Sequence, residues 1–165
     1  MSAEIMAGAV DEILAEYTRP ELIVPCLRAT DPLGMVEELS QCLRGQEIIG
    51  DLFSFYHAAV NHEFLSPSAL RSGIAIPHAR SSHVRRLTMA VGRARQPVLW
   101  GGREALPVDL VFLLAVPATA AEEHLALLSG IAGLANQTGM LHRLRTSPDA
   151  RGMFEVLRAF PKTAS

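Results

Sequence analysis

Six histidines are spread through the chain, and one of them stands where backbone geometry would present it to a substrate. His78 follows the run Ser72-Gly73-Ile74-Ala75-Ile76-Pro77 and precedes Ala79-Arg80. Proline fixes its own φ and biases the residue before it toward an extended conformation. The run therefore reads as a buried strand that stops at Pro77 and delivers His78 at its end. A neutral imidazole in that position can act as a nucleophile or carry a proton near pH 7. The same placement would suit a histidine that only hydrogen-bonds a neighbouring loop.

A second histidine, His124, follows Pro117-Ala118-Thr119 and Glu122-Glu123. It falls in the first turns of a helix predicted over about 120–135. Helix N-termini carry unpaired N–H groups and the positive end of the dipole, which favour anions. An imidazole there could donate a hydrogen bond to an anionic oxygen, or it could be a helix-start residue capped by its own neighbours. His57, His83 and His142 carry no motif and are expected at or near the surface.

Other chemistries lack their signatures. His57/His62 and His78/His83 are each five residues apart, a spacing that splays two side chains on a helix. The His-x-x-x-His pair and nearby cysteine ligands of a zinc site are absent, so neither a metal nor another cofactor is expected. A Gly-rich nucleotide loop and a Gly-x-Ser-x-Gly elbow are also missing, which argues against a nucleotide-dependent kinase and a serine hydrolase.

The elements that must position these histidines follow from the apolar pattern. Val10, Ile13, Leu14 and Tyr17 have helical spacing. Residues 22–27 read as a strand, with Pro25 marking an edge or bulge. Asp31-Pro32 supplies an N-cap and a proline at the first helical position, opening a helix with Leu33, Val36, Leu39 and Leu43 that ends near Gly45. A further helix is predicted over about 51–64, with Leu52, Phe55, Tyr56 and Ala59 on one face. Residues 66–72 form the loop before the His78 strand. From Val84 to Arg95, Leu87, Met89 and Val91 alternate with Arg86, Thr88 and Ala90, the pattern of a half-exposed strand. Gln96-Pro97 and Gly101-Gly102 read as turns. Residues 109–116 form a continuous apolar run, as for a strand covered on both faces. In the helix that follows, Leu125, Leu128, Ile131, Ala132 and Leu134 are expected to face inward. Thr138 and Ser147-Pro148-Asp149 open two shorter helices. The expected fold is α/β: a single domain over 1–165, with helices packed on both faces of a mixed β-sheet.

Composition narrows the function. At 165 residues the chain can bury one sizeable core, and its 49% hydrophobic and 19% charged content is that of a globular protein. Lys+Arg number 15 against 17 Asp+Glu, which does not provide the basic excess of a nucleic-acid surface. Arg85, Arg86, Arg93 and Arg95 read as a solvated strand face, and Trp100 is the sole indole. Cys26 and Cys42 are expected to be buried, reduced thiols. No secretory signal is visible, and the longest apolar runs fall far short of a membrane span. The expected location is the cytoplasm, without membrane insertion.

The string Gly73-Ile74-Ala75-Ile76-Pro77-His78 resembles the active-site signature of enzyme IIA domains of the fructose–mannitol type. These domains belong to the bacterial phosphoenolpyruvate-dependent phosphotransferase system and include the nitrogen-regulatory IIA proteins. Asn61-His62-Glu63 and Ser66-Pro67-Ser68-Ala69-Leu70-Arg71 stand where that family has Arg-Glu and a Ser-Thr-Gly loop. The run from Asp109 to Pro117, followed by His124-Leu125, matches its apolar strand and its helix opening with His-Leu. The resemblance covers roughly residues 9–160. It implies a phosphocarrier that accepts a phosphoryl group on His78 from a histidine phosphocarrier protein. His124, Ser68 and Glu63 would support the site, Glu63 by orienting an imidazole or by pairing with Arg71 or Arg80. The output would be a sugar permease component or a regulatory protein target, with the nitrogen-regulatory branch favoured. His62 stands at the family's arginine position, and a neutral imidazole does not replace a phosphate-matching guanidinium. The alternative is therefore a non-transferring regulatory protein-binding module with the same fold. Whether the chain is an active phosphohistidine phosphotransferase component stays open at this point.

Overall fold

Aspartates at three loop ends start three of the helices. In the computed structural model, which describes residues 14–160, Asp31 accepts a hydrogen bond from the Gly34 N–H at 2.7 Å and opens α1 (Pro32–Gly45). Asp51 accepts from the Ser54 N–H at 3.1 Å and opens α2 (Leu52–Leu65). Asp149 does the same with Gly152 at 2.8 Å for α5 (Ala150–Arg158), after α3 (Ala121–Ala135) and α4 (Thr138–Thr146). Each cap satisfies an N–H that the helix cannot pair internally. Residues 14–16 are helical, while Val10 and Ile13 of the predicted N-terminal helix lie outside the described residues.

The strands are β1 (Ile23–Val24), β2 (Ile74–Ala75), β3 (His78–Ser81), β4 (Thr88–Trp100) and β5 (Leu106–Pro117). They form one mixed sheet in the order β1-β4-β5-β2, with β3 also paired to β5. β4 and β5 are antiparallel; β1 runs parallel to β4, and β2 and β3 run parallel to β5. Along β5, Leu110, Phe112, Leu114 and Val116 join the core made by Leu127, Ile131, Leu134, Leu144, Met153 and Leu157 of α3, α4 and α5. Val111, Leu113 and Ala115 join the other core, with Met35, Leu39, Leu43, Phe55 and Ala59 of α1 and α2. The period-2 alternation of one central strand thus feeds two cores, and the expected α/β architecture with helices on both faces is realised.

Several local expectations are corrected. The strand read from Val84 begins at Thr88 and is buried on both faces, Met89 and Val91 in one core and Ala90 and Ala94 in the other. Small side chains made the second face look exposed. The strand also continues through Gln96-Pro97, with an irregularity in its register between Arg93 and Val98 in place of a turn. A proline is tolerated where the ladder is interrupted. Arg93 is not a solvated charge: its guanidinium donates to the carbonyls of Pro25, Leu144 and Ser147 at 2.7–3.0 Å. In α3 the buried positions are Leu127, Gly130, Ile131 and Leu134, so Leu125 and Ala132 face outward. Both sets have helical spacing, and only tertiary packing chooses between them. Leu33 likewise faces out, Cys26 is exposed and Cys42 is half-buried.

The loop before β2 is held by a forked ion pair. Arg145 donates to both oxygens of Asp109 at 2.8 and 2.9 Å, and to the Ser72 carbonyl at 2.6 Å. Gly73 sits against it with φ +95°, and a Cβ there would lie 2.5 Å from Arg145 Nη2 and 3.1 Å from Asp109 Oδ1. Gly73→Ala is expected to cost about 1–3 kcal/mol from backbone strain alone, plus the displaced fork. A lowered urea midpoint checks this; an unchanged midpoint would show that the fork does not set the loop.

Candidate functional site

His78 does not end a strand. The apolar run breaks at Ile76-Pro77, and His78 opens β3, paired in register with Leu114. Pro77 has no N–H for a ladder, but its carbonyl accepts from the Leu114 N–H at 2.9 Å, so pairing to β5 resumes at once. The break frees the His78 ring to turn back on the chain. Its Nδ1 lies 3.0 Å from the Ile76 carbonyl oxygen. A carbonyl can only accept, so Nδ1 carries the proton and Nε2 keeps its lone pair.

A short relay fixes that carbonyl. Glu63 accepts from the Ser68 N–H at 2.6 Å and from the Ser68 hydroxyl at 2.5 Å. The same hydroxyl oxygen accepts from the Ile76 N–H at 2.9 Å. Glu63 therefore acts on the imidazole through Ser68 and Ile76. It neither touches the ring nitrogen nor pairs with Arg71 or Arg80, as the sequence reading allowed, because Ser68 occupies both of its oxygens.

The structure brings His62 and His124 to His78. The His62 ring, in the last turn of α2, lies 4.2 Å from the His78 ring between centroids. The His124 ring, in the first turn of α3, lies 5.1 Å away in an edge-on arrangement. His124 is not a cap: its N–H is bonded to the Ala120 carbonyl at 3.0 Å within the helix, and Ala120 offers no side-chain cap. The His124 Nε2 is buried without a hydrogen-bond partner among the described residues. An unpaired buried ring nitrogen is costly unless a ligand meets it. Among the described residues no group of three His, Cys, Asp or Glu side chains has the arrangement of a metal site. His57 packs on Phe53 and, with His83, lines a separate groove of about 750 Å³; His142 is exposed.

Burial pushes the His78 ring below its ordinary pKa, and the neighbouring His62 adds to this; the Ile76 bond and the Glu63 charge oppose it. Burial likewise lowers His124, reinforced by His78, Arg80 and His62. Both rings are neutral at pH 7, the state that a nucleophile and a neutral donor require. Next in sequence to two of these rings are exposed apolar side chains, Phe64 and Leu65 after His62-Glu63 and Leu125 after His124, which are 85%, 80% and 68% exposed. The sequence reading missed these exposed apolar residues. Their signal is an apolar pair directly after His62-Glu63, off the buried Phe55–Ala59 face.

Residues 16–159 match the family described as Phosphoenolpyruvate-dependent sugar phosphotransferase system, EIIA 2. The chain belongs to that family. It is 29% identical over 153 residues to a nitrogen regulatory protein of Bradyrhizobium diazoefficiens, covering 92% of this chain and 99% of the relative. Identity to a nitrogen regulatory protein of Pseudomonas aeruginosa is 36% over 107 residues, 65% of this chain and 70% of that one. Among solved structures, the nitrogen regulatory protein IIA-Ntr of Neisseria meningitidis superposes with a TM-score of 0.80 at 30% identity, covering 88% of this chain and 99% of that one. No helix among the described residues is long and apolar enough to cross a membrane.

The depressed pKa values give this EIIA domain a pH signature. As pH falls through 6.5, the ordinary value, the unfolded chain binds protons before the folded rings do. Stability is therefore full above 6.5, declines below it, and levels once the folded rings protonate. Ring-proton resonances of His78 and His124 are expected to titrate with midpoints below 6.5; midpoints at or above that value would contradict the buried, neutral site.

Proposed function

We propose that this EIIA domain is a phosphocarrier that takes a phosphoryl group on Nε2 of His78 from a histidine phosphocarrier protein. The observation that carries the reading is the tethered Nδ1, which leaves Nε2 as the free nucleophile beside the unpaired His124. In the transfer, the P–N bond to the donor imidazole breaks as the P–Nε2 bond forms. The donor ring, protonated on its other nitrogen, leaves as neutral imidazole, and His78 keeps its Nδ1 proton against the Ile76 carbonyl. The positive charge that the ring then carries is eased by that carbonyl and, through Ser68, by Glu63. Such transfers pass through a loose transition state, so the protein supplies positioning and charge. His124 would donate from Nε2 to a phosphoryl oxygen. The exposed apolar side chains of Phe64, Leu65 and Leu125 suit a protein donor docking over the site.

The resemblance to nitrogen regulatory proteins supports a regulatory protein as the downstream target over a sugar permease component, and a cytoplasmic location. His62, at the family's arginine position, supports a second reading: a protein-binding module that no longer transfers. Incubation with labelled phosphoenolpyruvate separates the two. Label should appear only with the upstream phosphotransferase proteins present, be acid-labile and base-stable, and vanish in His78→Ala. Label retained by His78→Ala would overturn the acceptor, and an unlabelled wild type would favour the binding module.

Two further variants test the supporting rings. His124→Ala should fold and slow transfer roughly 10–100-fold, the worth of one hydrogen bond to a charged oxygen; a wild-type rate would make this histidine structural. His62→Arg should raise transfer, because a guanidinium offers phosphate the permanent charge and paired donors that an imidazole lacks. Equal rates would show that His62 takes no part in the transfer.

A further inference from the structure

We propose that Arg80 supplies the permanent cation of this phosphoryl site, the guanidinium that the family's arginine position, here His62, does not provide. The proposal rests on His78 being the phosphoryl acceptor. Its basis is the register of β3. Ala79 is buried in the core under α1 and α2, so its neighbours His78 and Arg80 point to the opposite face. Their partners across the ladder confirm the side: His78 pairs with Leu114 and Arg80 with Val116, both in the core beneath α3, α4 and α5. That is the face on which His124 begins α3. Residues two apart on a strand are roughly 6.5 Å apart, within the reach of an arginine side chain toward a group on His78 Nε2.

The Arg80 guanidinium is also uncommitted. Arg80 is exposed and, among the described residues, makes neither a hydrogen bond nor an ion pair. The carboxylates that might have claimed it are engaged elsewhere: Glu63 holds Ser68, and Glu123 accepts from the Tyr17 hydroxyl at 3.0 Å. Its charge reaches the site already, as one of the causes that depress His124. Arg85, Arg86 and Arg95 lie on other strands or turns, and Arg93 and Arg145 are bound to backbone carbonyls or Asp109. A guanidinium two residues beyond the acceptor therefore offers phosphate the paired donors that an imidazole lacks.

The test compares transfer from the phosphorylated phosphocarrier protein to wild type, Arg80→Gln, Arg80→Lys and the double variant Arg80→Gln/His62→Arg. Phosphorus NMR follows the second ionisation of the phosphoryl group in each. Arg80→Gln should slow transfer roughly 10–100-fold and raise the phosphoryl group's second pKa, a readout that a purely structural residue would not move. Arg80→Lys should recover part of both, and His62→Arg should restore both by supplying a guanidinium from α2. Wild-type rates and an unmoved phosphorus titration in Arg80→Gln would overturn the role of Arg80 alone. A wild type that accepts no phosphoryl group overturns the phosphocarrier reading first, and this one with it.

Discussion

The hydrogen bond from His78 Nδ1 to the Ile76 carbonyl, 3.0 Å long, is the constraint on which the site depends. It selects one tautomer of an imidazole that would otherwise interconvert, and it leaves a single nitrogen free for chemistry. The bond exists because Pro77 interrupts the strand for two residues, letting the ring fold back over the residue before the proline. Ile76 is in turn fixed by Ser68, and Ser68 by Glu63. One carboxylate at the end of α2 thus sets the orientation of a ring whose nitrogens it never touches.

The sheet makes this local arrangement rigid. β5 lies between β4 on one side and β2 and β3 on the other, and its two faces feed separate cores. His78 is anchored to β5 through Leu114, while α3 leaves the end of β5 and brings His124 back to the same edge. The last turn of α2 brings His62. The three rings therefore meet beside the break between β2 and β3, and each comes from a different element. Deforming the site would require moving a central strand buried on both faces, which is expensive in a close-packed interior.

Much of this was legible in the residues and some was not. Asp31-Pro32 and Ser147-Pro148-Asp149 announced their helices because capping is a local interaction, written within four residues. The apolar run ending at Pro117 announced the central strand for the same reason. Local rules failed where packing decides. Ala90 and Ala94 look neutral until α1 and α2 are known to cover them, and α3 has two apolar stripes of equal spacing. Arg93 looked solvated because its carbonyl partners lie 51 to 68 residues away in sequence. The site followed the same division. The family resemblance named His78, His124, His62, Ser68 and Glu63, which the fold brings together, whereas the Ser68–Ile76 link, the exposed apolar residues and the place proposed for Arg80 required the fold.

The atom that receives the phosphoryl group tests the proposed transfer most directly. Nitrogen-15 and phosphorus NMR of the phosphorylated, histidine-labelled protein reads this from the coupling of phosphorus to one ring nitrogen. Coupling to Nε2 of His78 is expected, with Nδ1 still protonated and its bond to Ile76 intact. Coupling to Nδ1 of His78, or to any other histidine, would contradict the proposed transfer.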